Sequence, residues 1–159
     1  MLSALILTLN DAEALTKLFT ALVPAAVDGL VVEVIVCDGG STDATLEIAH
    51  DCGATVTDEA AVDEVVEAAR GDWLLVLPVR ARLPQNWMEI VVRHCAGDRA
   101  GPAQLRGPRR GWFFGRGQPT GWLIPKSMAE ALDLASGGQG GLGHLAGRRV
   151  QRLELFARD

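Results

Sequence analysis

Apolar and polar residues follow two patterns along this chain, one typical of buried strands and the other of helices with a single apolar face. Residues 3–9 and 31–37 are nearly continuous apolar runs, as expected for strands covered on both faces. Between these runs, four apolar residues recur at the spacing i, i+3, i+4, i+7, which predicts a helix with one apolar face: Leu15, Leu18, Phe19 and Leu22. The same two patterns predict strands at 54–56 and 73–77, and helices that end near 51, cover 62–69 and begin at Pro84.

Strands and helices therefore alternate over the first 95 residues, with short connections between them. Such alternation predicts an α/β fold with three layers, in which a mostly parallel central sheet is flanked by helices. Polar residues just before two of the helices are expected to cap them. These are Asn10 or Asp11 for the first helix and Ser41 or Thr42 for the second.

The composition of the chain changes after residue 97. Residues 101–121 are rich in glycine, proline and arginine and are predicted to form a long loop. Beyond it, the pattern predicts a strand at 122–124, a helix at 127–134, a glycine-rich loop at 137–147 and a strand at 150–156. With 159 residues and 48% hydrophobic content, the chain is predicted to form a single domain over 1–159.

The cysteines, the histidines and the lengths of the apolar runs indicate which cellular compartment to expect for this protein. The three cysteines form no C-x-x-C pair, and the three histidines lack metal-ligand spacing, so neither a disulfide framework nor a zinc cluster is supported. The sequence contains no run of 18 apolar residues, and its first nine residues lack the basic region of a signal peptide. We therefore expect reduced thiols, a cytoplasmic location and no transmembrane segment.

Charge is distributed unevenly along the chain. Residues 1–76 contain 14 acidic and 2 basic residues, whereas residues 77–159 contain 6 acidic and 13 basic ones. Either the two halves attract each other within one fold, or the basic half forms the anion-binding wall of a shared cleft. The net charge of -5 argues against nucleic acid as a partner.

The most informative polar segment follows the second predicted strand. Asp38 ends that strand, and Gly39 and Gly40 lead into the next helix, with Asp43 inside the turn. Side chains at such a strand end lie at the carboxyl edge of a parallel sheet, where open α/β folds bind ligands. The two carboxylates should repel a pyrophosphate and attract donors such as a base N–H or ribose hydroxyls. Alternatively, Asp38 only caps its own turn.

Four segments resemble those of a known family: LILTLND at 5–11, DGGSTD at 38–43, ARGDWLLVL at 69–77 and LPQNW at 83–87. Over about residues 3–95 the chain resembles the family 2 glycosyltransferases. The resemblance implies a GT-A, Rossmann-like fold with a nucleotide-binding half at 1–95 and an acceptor-side or variable half at 96–159. It also implies a nucleotide-sugar donor of UDP type and transfer of its sugar to a hydroxyl acceptor that the sequence does not define.

The same resemblance implies which residues hold the donor. Members of the family use the positions of Thr8 and Asp38 to bind the uracil and the ribose. The two turns around them give the candidate donor site, which comprises Thr8, Leu9, Asn10, Asp11, Asp38, Gly39 and Gly40. The family's aromatic residue beside the base is replaced by Leu9. The alternative for Thr8 is that it packs in the core.

The chain departs from the family at its metal site. The carboxylates of the family's D-x-D motif hold Mg²⁺ or Mn²⁺ against the donor diphosphate, but here the aligned residues are Pro78, Val79 and Arg80, so no divalent metal is expected. Arg80, with Arg82, is the candidate catalytic replacement, because a guanidinium pairs with diphosphate oxygens without a cation. The alternative is a catalytically inactive binding or interaction protein that keeps the GT-A fold.

Other segments also depart from the family pattern. Residues 59–64 are acidic where the family often places an arginine or asparagine, and 137–147 contain no carboxylate to act as general base. A sugar nucleotidyltransferase is disfavoured, because residues 8–11 lack a glycine-rich, basic phosphate loop. The basic and aromatic segment at 105–116 is consistent with an acceptor-side loop, peripheral contact with an anionic membrane, nucleic-acid stacking or a covered sheet edge. Its aromatic residues also leave a homodimer open.

Overall fold

The computed structural model of this chain describes residues 1–58, 61–97, 100–106, 119–129 and 151–154. In these ranges one sheet contains the strands β1 (Leu2–Thr8), β2 (Val31–Asp38), β3 (Thr55–Asp58), β4 (Trp73–Pro78), β5 (Ala103–Arg106), β6 (Pro119–Pro125) and β7 (Gln151–Glu154). The helices in the same ranges are α1 (Ala12–Val27), α2 (Thr45–Asp51), α3 (Val62–Ala68), α4 (Trp87–Cys95) and α5 (Lys126–Ala129).

The first four strands form the parallel part of the sheet. Within the described chain the strand order is β3-β2-β1-β4-β6-β5-β7. β1 is parallel to β2 and β4, and β2 is parallel to β3, whereas β6 runs antiparallel to β4 and β5. The predicted mostly parallel sheet is confirmed. The chain leaves β1 towards β2 on one side and later returns to β4 on the other, so the topological switch point lies between β1 and β4.

Helices cover both faces of this sheet. On one face, buried residues of α1, α2 and α4 pack with Ala4 and Ile6 of β1, and on the other face α3 and α5 pack with Leu5. This division follows from the alternating direction of side chains along a strand. The predicted apolar face of α1 is confirmed, and with it the three-layer α/β architecture. None of the described helices combines the length and the apolar character that a membrane span requires.

The second half of the chain contains more regular structure than its composition predicts. The loop expected over 101–121 is wrong at residues 103–106, which form β5, and at 119–121, which begin β6. Ala103 and Leu105 are fully buried and alternate with partly exposed polar residues, which is the pattern of a strand. The strands predicted at 122–124 and 150–156 are present as β6 and β7. Residues 107–118 of that loop, most of the predicted helix at 127–134 and the loop at 137–147 lie outside the described residues.

A polar network joins three segments at the amino edge of the sheet. The Ser3 hydroxyl donates to Glu33 Oε1 (2.5 Å) and accepts a hydrogen bond from the backbone N–H of Gly71 (2.8 Å). The backbone N–H of Arg70 also donates to Glu33 Oε1 (2.5 Å), and its Nε donates to Oε2 (3.1 Å). These bonds hold β1, β2 and the segment that enters β4 together, at the edge opposite Asp38.

Glu33→Gln is expected to change how the free energy of unfolding depends on pH. Burial raises the pKa of Glu33, but hydrogen bonds from Ser3 and Arg70 outweigh burial and hold this pKa below its usual value of 4.5. A lowered folded-state pKa contributes stability that is complete above the unfolded pKa and is lost as the pH falls through the folded one. The variant should be less stable than wild type at neutral pH, and the difference should shrink below about pH 4.5. Urea unfolding across this range measures it, and a difference that is independent of pH would contradict the expectation.

Candidate functional site

The turn after β2 is held by Asp38, the last residue of that strand. Asp38 is only 7% exposed. Its Oδ2 accepts hydrogen bonds from the backbone N–H of Gly40 (2.9 Å) and of Ser41 (2.7 Å), and its Oδ1 accepts one from the Ser41 hydroxyl (2.5 Å). Gly40 has a φ of +97°, which residues with a side chain rarely adopt. Asp38 thus stabilises its own turn, and because a carboxylate accepts about four hydrogen bonds it retains capacity for a ligand donor.

The turns after β1 and β2 are joined by hydrogen bonds between residues 10–12 and 41–45, a contact that we call the turn interface. Its bonds, donor first, include Asn10 N to Ser41 Oγ (2.8 Å), Thr42 N to Asn10 Oδ1 (2.7 Å), Asp11 N to Thr45 Oγ1 (3.1 Å) and Ala12 N to Asp43 Oδ2 (3.3 Å). Each turn therefore satisfies backbone donors of the other. The two turns form a single structure at the carboxyl edge of the sheet.

Asp11 is the N-cap residue of α1, as one of the two predicted alternatives, whereas the cap predicted at Ser41 or Thr42 for the second helix is wrong. The N-cap residues of α1 and α2 are Asp11 and Ala44, and neither makes a side-chain cap hydrogen bond. The first N–H of α1 instead finds its acceptor on Asp43, in the neighbouring turn. The hydrogen bond from the Thr45 hydroxyl, helped by backbone hydrogen bonds and opposed by burial, holds the pKa of Asp43 below its usual value. Asp43 consequently serves the turn interface as an ionised acceptor.

A cavity of about 490 Å³ opens beside Asp38 at this edge. Its lining comprises Asp38, Gly39, Gly40, Leu46, Val56, Thr57 and Asp58. Asp58 lies directly opposite Asp38 in the register of the parallel strands β2 and β3, so two carboxylates stand side by side. The described lining contains no basic side chain. The volume is in the range of small-molecule sites, and the wall is rich in hydrogen-bond acceptors.

Thr8 and Leu9, at the end of β1, adjoin the Asp38 turn. The carbonyl oxygen of Thr8 accepts a hydrogen bond from the N–H of Gly39 (2.9 Å). Thr8 is 6% exposed, and its buried hydroxyl oxygen makes no hydrogen bond in the described structure. Leu9 is 56% exposed and lies beside Gly39, where a methyl group would meet its Cβ at 3.5 Å. The structure thus brings together, at one edge of the sheet, these residues of the predicted nucleotide-sugar site: Thr8, Leu9, Asn10, Asp38, Gly39 and Gly40.

Arg80, the predicted catalytic residue, forms an ion pair with Asp11, which was predicted to belong to the donor site. The Nε of Arg80 donates to Asp11 Oδ2, and the hydrogen bond and charge of Asp11 raise the pKa of the guanidinium. The side chain of Arg80 is 81% exposed, and that of Asp11 is 15% exposed. Because the two residues follow the adjacent strands β4 and β1, their ion pair lies across the switch point. Arg82 is exposed and makes no hydrogen bond or ion pair with the described residues.

The residues at the family's metal position do not fit a divalent cation. Pro78 and Val79 offer no ligand side chain, and the guanidinium of Arg80 cannot coordinate a cation. The described part of the chain also contains no group of three or more histidine, cysteine, aspartate or glutamate residues arranged to hold a metal ion. We therefore assign no step of any reaction to a metal held at residues 78–80.

Solved structures share this fold. Glucosyl-3-phosphoglycerate synthase from Mycobacterium tuberculosis, in complex with Mn²⁺, UDP-glucose and phosphoglyceric acid, matches 100% of this chain and 72% of its own at 17% identity, with a TM-score of 0.73. The same enzyme with UDP gives a TM-score of 0.68 at 17% identity, covering 100% and 71% of the two chains. A further mycobacterial protein gives 0.71 at 18% identity, covering 100% and 68%. At these identities the matches show the fold alone.

The comparison with curated proteins found no match. The family model described as glycosyl transferase family 2, in contrast, matches residues 3–155, which is nearly the whole chain. This match extends well beyond residue 95, where the resemblance of individual motifs ends. The chain therefore belongs to glycosyl transferase family 2.

Proposed function

We propose that this protein binds a nucleoside diphosphate sugar of UDP type and transfers the sugar to a hydroxyl acceptor without a metal at residues 78–80. The observation that carries the proposal is the cavity of about 490 Å³ beside Asp38, at the edge of the sheet where open α/β folds bind ligands. The structural relative in complex with UDP-glucose supports the choice of donor class. The family to which the chain belongs supports the reaction class.

The nucleoside part of the donor suits the cavity by its chemistry. The base N–H and the ribose hydroxyls are hydrogen-bond donors, and the polar wall presents acceptors from Asp38 and Asp58. Phosphate groups do not suit that wall, since its two carboxylates would repel them. In this proposal Thr8, Leu9 and Asn10 border the nucleoside, and the diphosphate extends towards the ends of β1 and β4.

Arg80 and Arg82 meet the diphosphate in this arrangement. A guanidinium forms two parallel hydrogen bonds to phosphate oxygens and remains charged throughout. During transfer, the acceptor hydroxyl releases its proton to water, its oxygen forms a bond to the sugar carbon, and the bond from that carbon to the diphosphate breaks. The nucleoside diphosphate leaves with the electron pair, and the positive charge of Arg80 stabilises it as the charge develops.

The second candidate is a nucleotide-binding protein without turnover. It is favoured by one specific observation: in the structure Arg80 is paired with Asp11, a carboxylate that competes with a leaving diphosphate for the guanidinium. Incubation of the protein with UDP-glucose and water, followed by detection of released UDP, separates the two candidates. Release of UDP that depends on Arg80 supports the enzyme, and nucleotide binding without release supports the second candidate.

Calorimetric titration with UDP in the presence of EDTA tests the proposed site. We expect binding that survives chelation, and Arg80→Ala should weaken it about tenfold or more, because a charge-assisted contact to phosphate is lost. Uridine, which has no phosphate, should bind both proteins equally. The matched control is Arg93→Ala, which removes an exposed arginine of α4 that pairs with Glu89 (2.5 Å). Binding that requires Mn²⁺, or no binding of any nucleotide, would contradict the proposal.

Several expectations accompany this proposal. Four statements stay predictions: a cytoplasmic location, the division into a nucleotide-binding half at 1–95 and an acceptor-side half at 96–159, a homodimer, and peripheral membrane contact. The basic and aromatic segment at 105–116 bears on the last two, and its residues from 107 onwards lie outside the described residues.

A further inference from the structure

An ion pair lies across the crevice between the ends of β1 and β4. Asp11 is three residues beyond the end of β1, and Arg80 is two residues beyond the end of β4. The Nε of Arg80 donates to Asp11 Oδ2, although the two residues are 69 positions apart in the chain. The pair spans the switch point, where the proposed function places the donor diphosphate.

The acid is the fixed member of this pair and the arginine is the movable one. The N–H of Asp11 donates to Thr45 Oγ1 (3.1 Å) in the turn interface, and α1 begins at the next residue. Its side chain is only 15% exposed. Arg80 sits in a turn closed by a hydrogen bond from Ala81 N to Pro78 O (2.8 Å), and its side chain is 81% exposed. The guanidinium can therefore leave Asp11 without any change in the backbone of β1 or α1.

We propose that Asp11 is the resting partner of Arg80 and that the donor diphosphate displaces it, so that Asp11 sets the affinity for the phosphate part of the donor. This inference rests on the proposed function. A guanidinium binds carboxylate and phosphate oxygens with the same paired geometry, and a single guanidinium edge cannot serve both. Exposed ion pairs contribute little stability, so a ligand with several negative charges can replace the carboxylate.

This exchange makes Asp11 a residue that determines specificity. Its negative charge stays near the crevice after Arg80 has turned away, and it opposes every anion that enters. A diphosphate, with several charges and many acceptor oxygens, overcomes this opposition, whereas inorganic phosphate has fewer of both. Asp11 therefore lowers the affinity for all anions, so that only an anion with enough charges and acceptor oxygens to displace it from Arg80, such as a diphosphate, binds there.

Asp11→Asn tests the inference directly. The variant keeps the size of the side chain and removes both the competing acceptor charge and the repulsion. We expect its affinity for UDP, measured by calorimetry, to rise about three- to tenfold, with no change in its affinity for uridine. Asp11→Glu restores the carboxylate and should bind UDP as the wild type does. The double variant Asp11→Asn with Arg80→Gln should show no rise over Arg80→Gln alone.

Two controls separate this effect from a general one. Glu89→Gln breaks the exposed Arg93 pair on α4 in the same way and should leave UDP affinity unchanged. The melting temperature of Asp11→Asn should match that of the wild type, because the Asp11 side chain makes no cap hydrogen bond. An equal rise in affinity for uridine would show that Asp11 acts on the nucleoside, which overturns the inference.

The Nε–H resonance of Arg80 in nitrogen-15 NMR spectra provides a test that needs no nucleotide. We expect this resonance to move in Asp11→Asn, and to move in the wild type when inorganic pyrophosphate is added. A UDP affinity that stays equal or falls in Asp11→Asn overturns the inference and leaves the proposed function standing. If no nucleotide binds, the proposed function fails. The inference is overturned separately if the Arg80 resonance does not move when pyrophosphate is added.

Discussion

Gly71→Ala is expected to lower the free energy of unfolding by about 3 kcal/mol or more, a large share of the stability of a domain of this size. A Cβ at this position would lie 2.4 Å from the backbone N of Ser3 and 2.6 Å from the backbone C of Leu2. Backbone atoms cannot give way as a flexible side chain can, so β1 and the start of β4 must separate. The separation also strains the hydrogen bond from Gly71 N to Ser3 Oγ (2.8 Å), which is buried.

Gly39→Ala is the matched control for this stability measurement. A Cβ at Gly39 would meet its neighbours at ordinary distances of 3.5 and 3.6 Å. Its effect on the free energy of unfolding should stay within about 1 kcal/mol, partly because alanine reduces the freedom of the unfolded chain. Urea unfolding followed by circular dichroism compares the two variants. Equal losses would show that the close approach at Gly71 is relieved elsewhere, and the expectation would be wrong.

Asp38→Ala is expected to weaken UDP binding about 10- to 100-fold, since a hydrogen bond to a charged group contributes about 1.5–3 kcal/mol. The same change removes the acceptor for the N–H groups of Gly40 and Ser41, so the turn itself loosens. Asp38→Asn keeps one acceptor oxygen and should retain more of the turn while losing the charge. Calorimetry with UDP measures binding, and thermal unfolding measures the turn.

Asp28→Ala provides the control for Asp38, because it removes an exposed carboxylate at the opposite edge of the sheet. It should bind UDP as the wild type does. If Asp38→Ala binds UDP with wild-type affinity, then Asp38 serves its turn alone and the nucleoside lies elsewhere.

The parallel half of the fold could be predicted closely from the sequence. Buried parallel strands leave continuous apolar runs. The predicted strand at 3–9 differs from β1 by one residue at each end, and the one at 31–37 differs from β2 by one residue at its carboxyl end. β5 could not be predicted in this way. Its partners β6 and β7 lie later in the chain, and two buried residues in a four-residue strand make too short a pattern to recognise.

The position of the candidate site could also be predicted, but not its contacts. Strand ends in a parallel sheet meet at one edge, so Thr8 and Asp38 were expected to be neighbours. Asp58 was missed because its strand was predicted to end at residue 56, two residues early. The pairing of Asp11 with Arg80 depends on the sheet order, which joins residues 69 positions apart. No local pattern contains that information.

The turn interface shows that the DGGSTD segment at 38–43 has a structural role that does not depend on any ligand. Ser41, Thr42 and Asp43 bind the backbone or side chains of residues 10–12, and Asp38 binds its own turn. A descendant that no longer transferred a sugar would still gain stability from these hydrogen bonds. Selection for folding alone can therefore preserve this signature, so the motif identifies an ancestor's architecture. Evidence of activity in relatives of this chain has to be sought at the positions of residues 78–82.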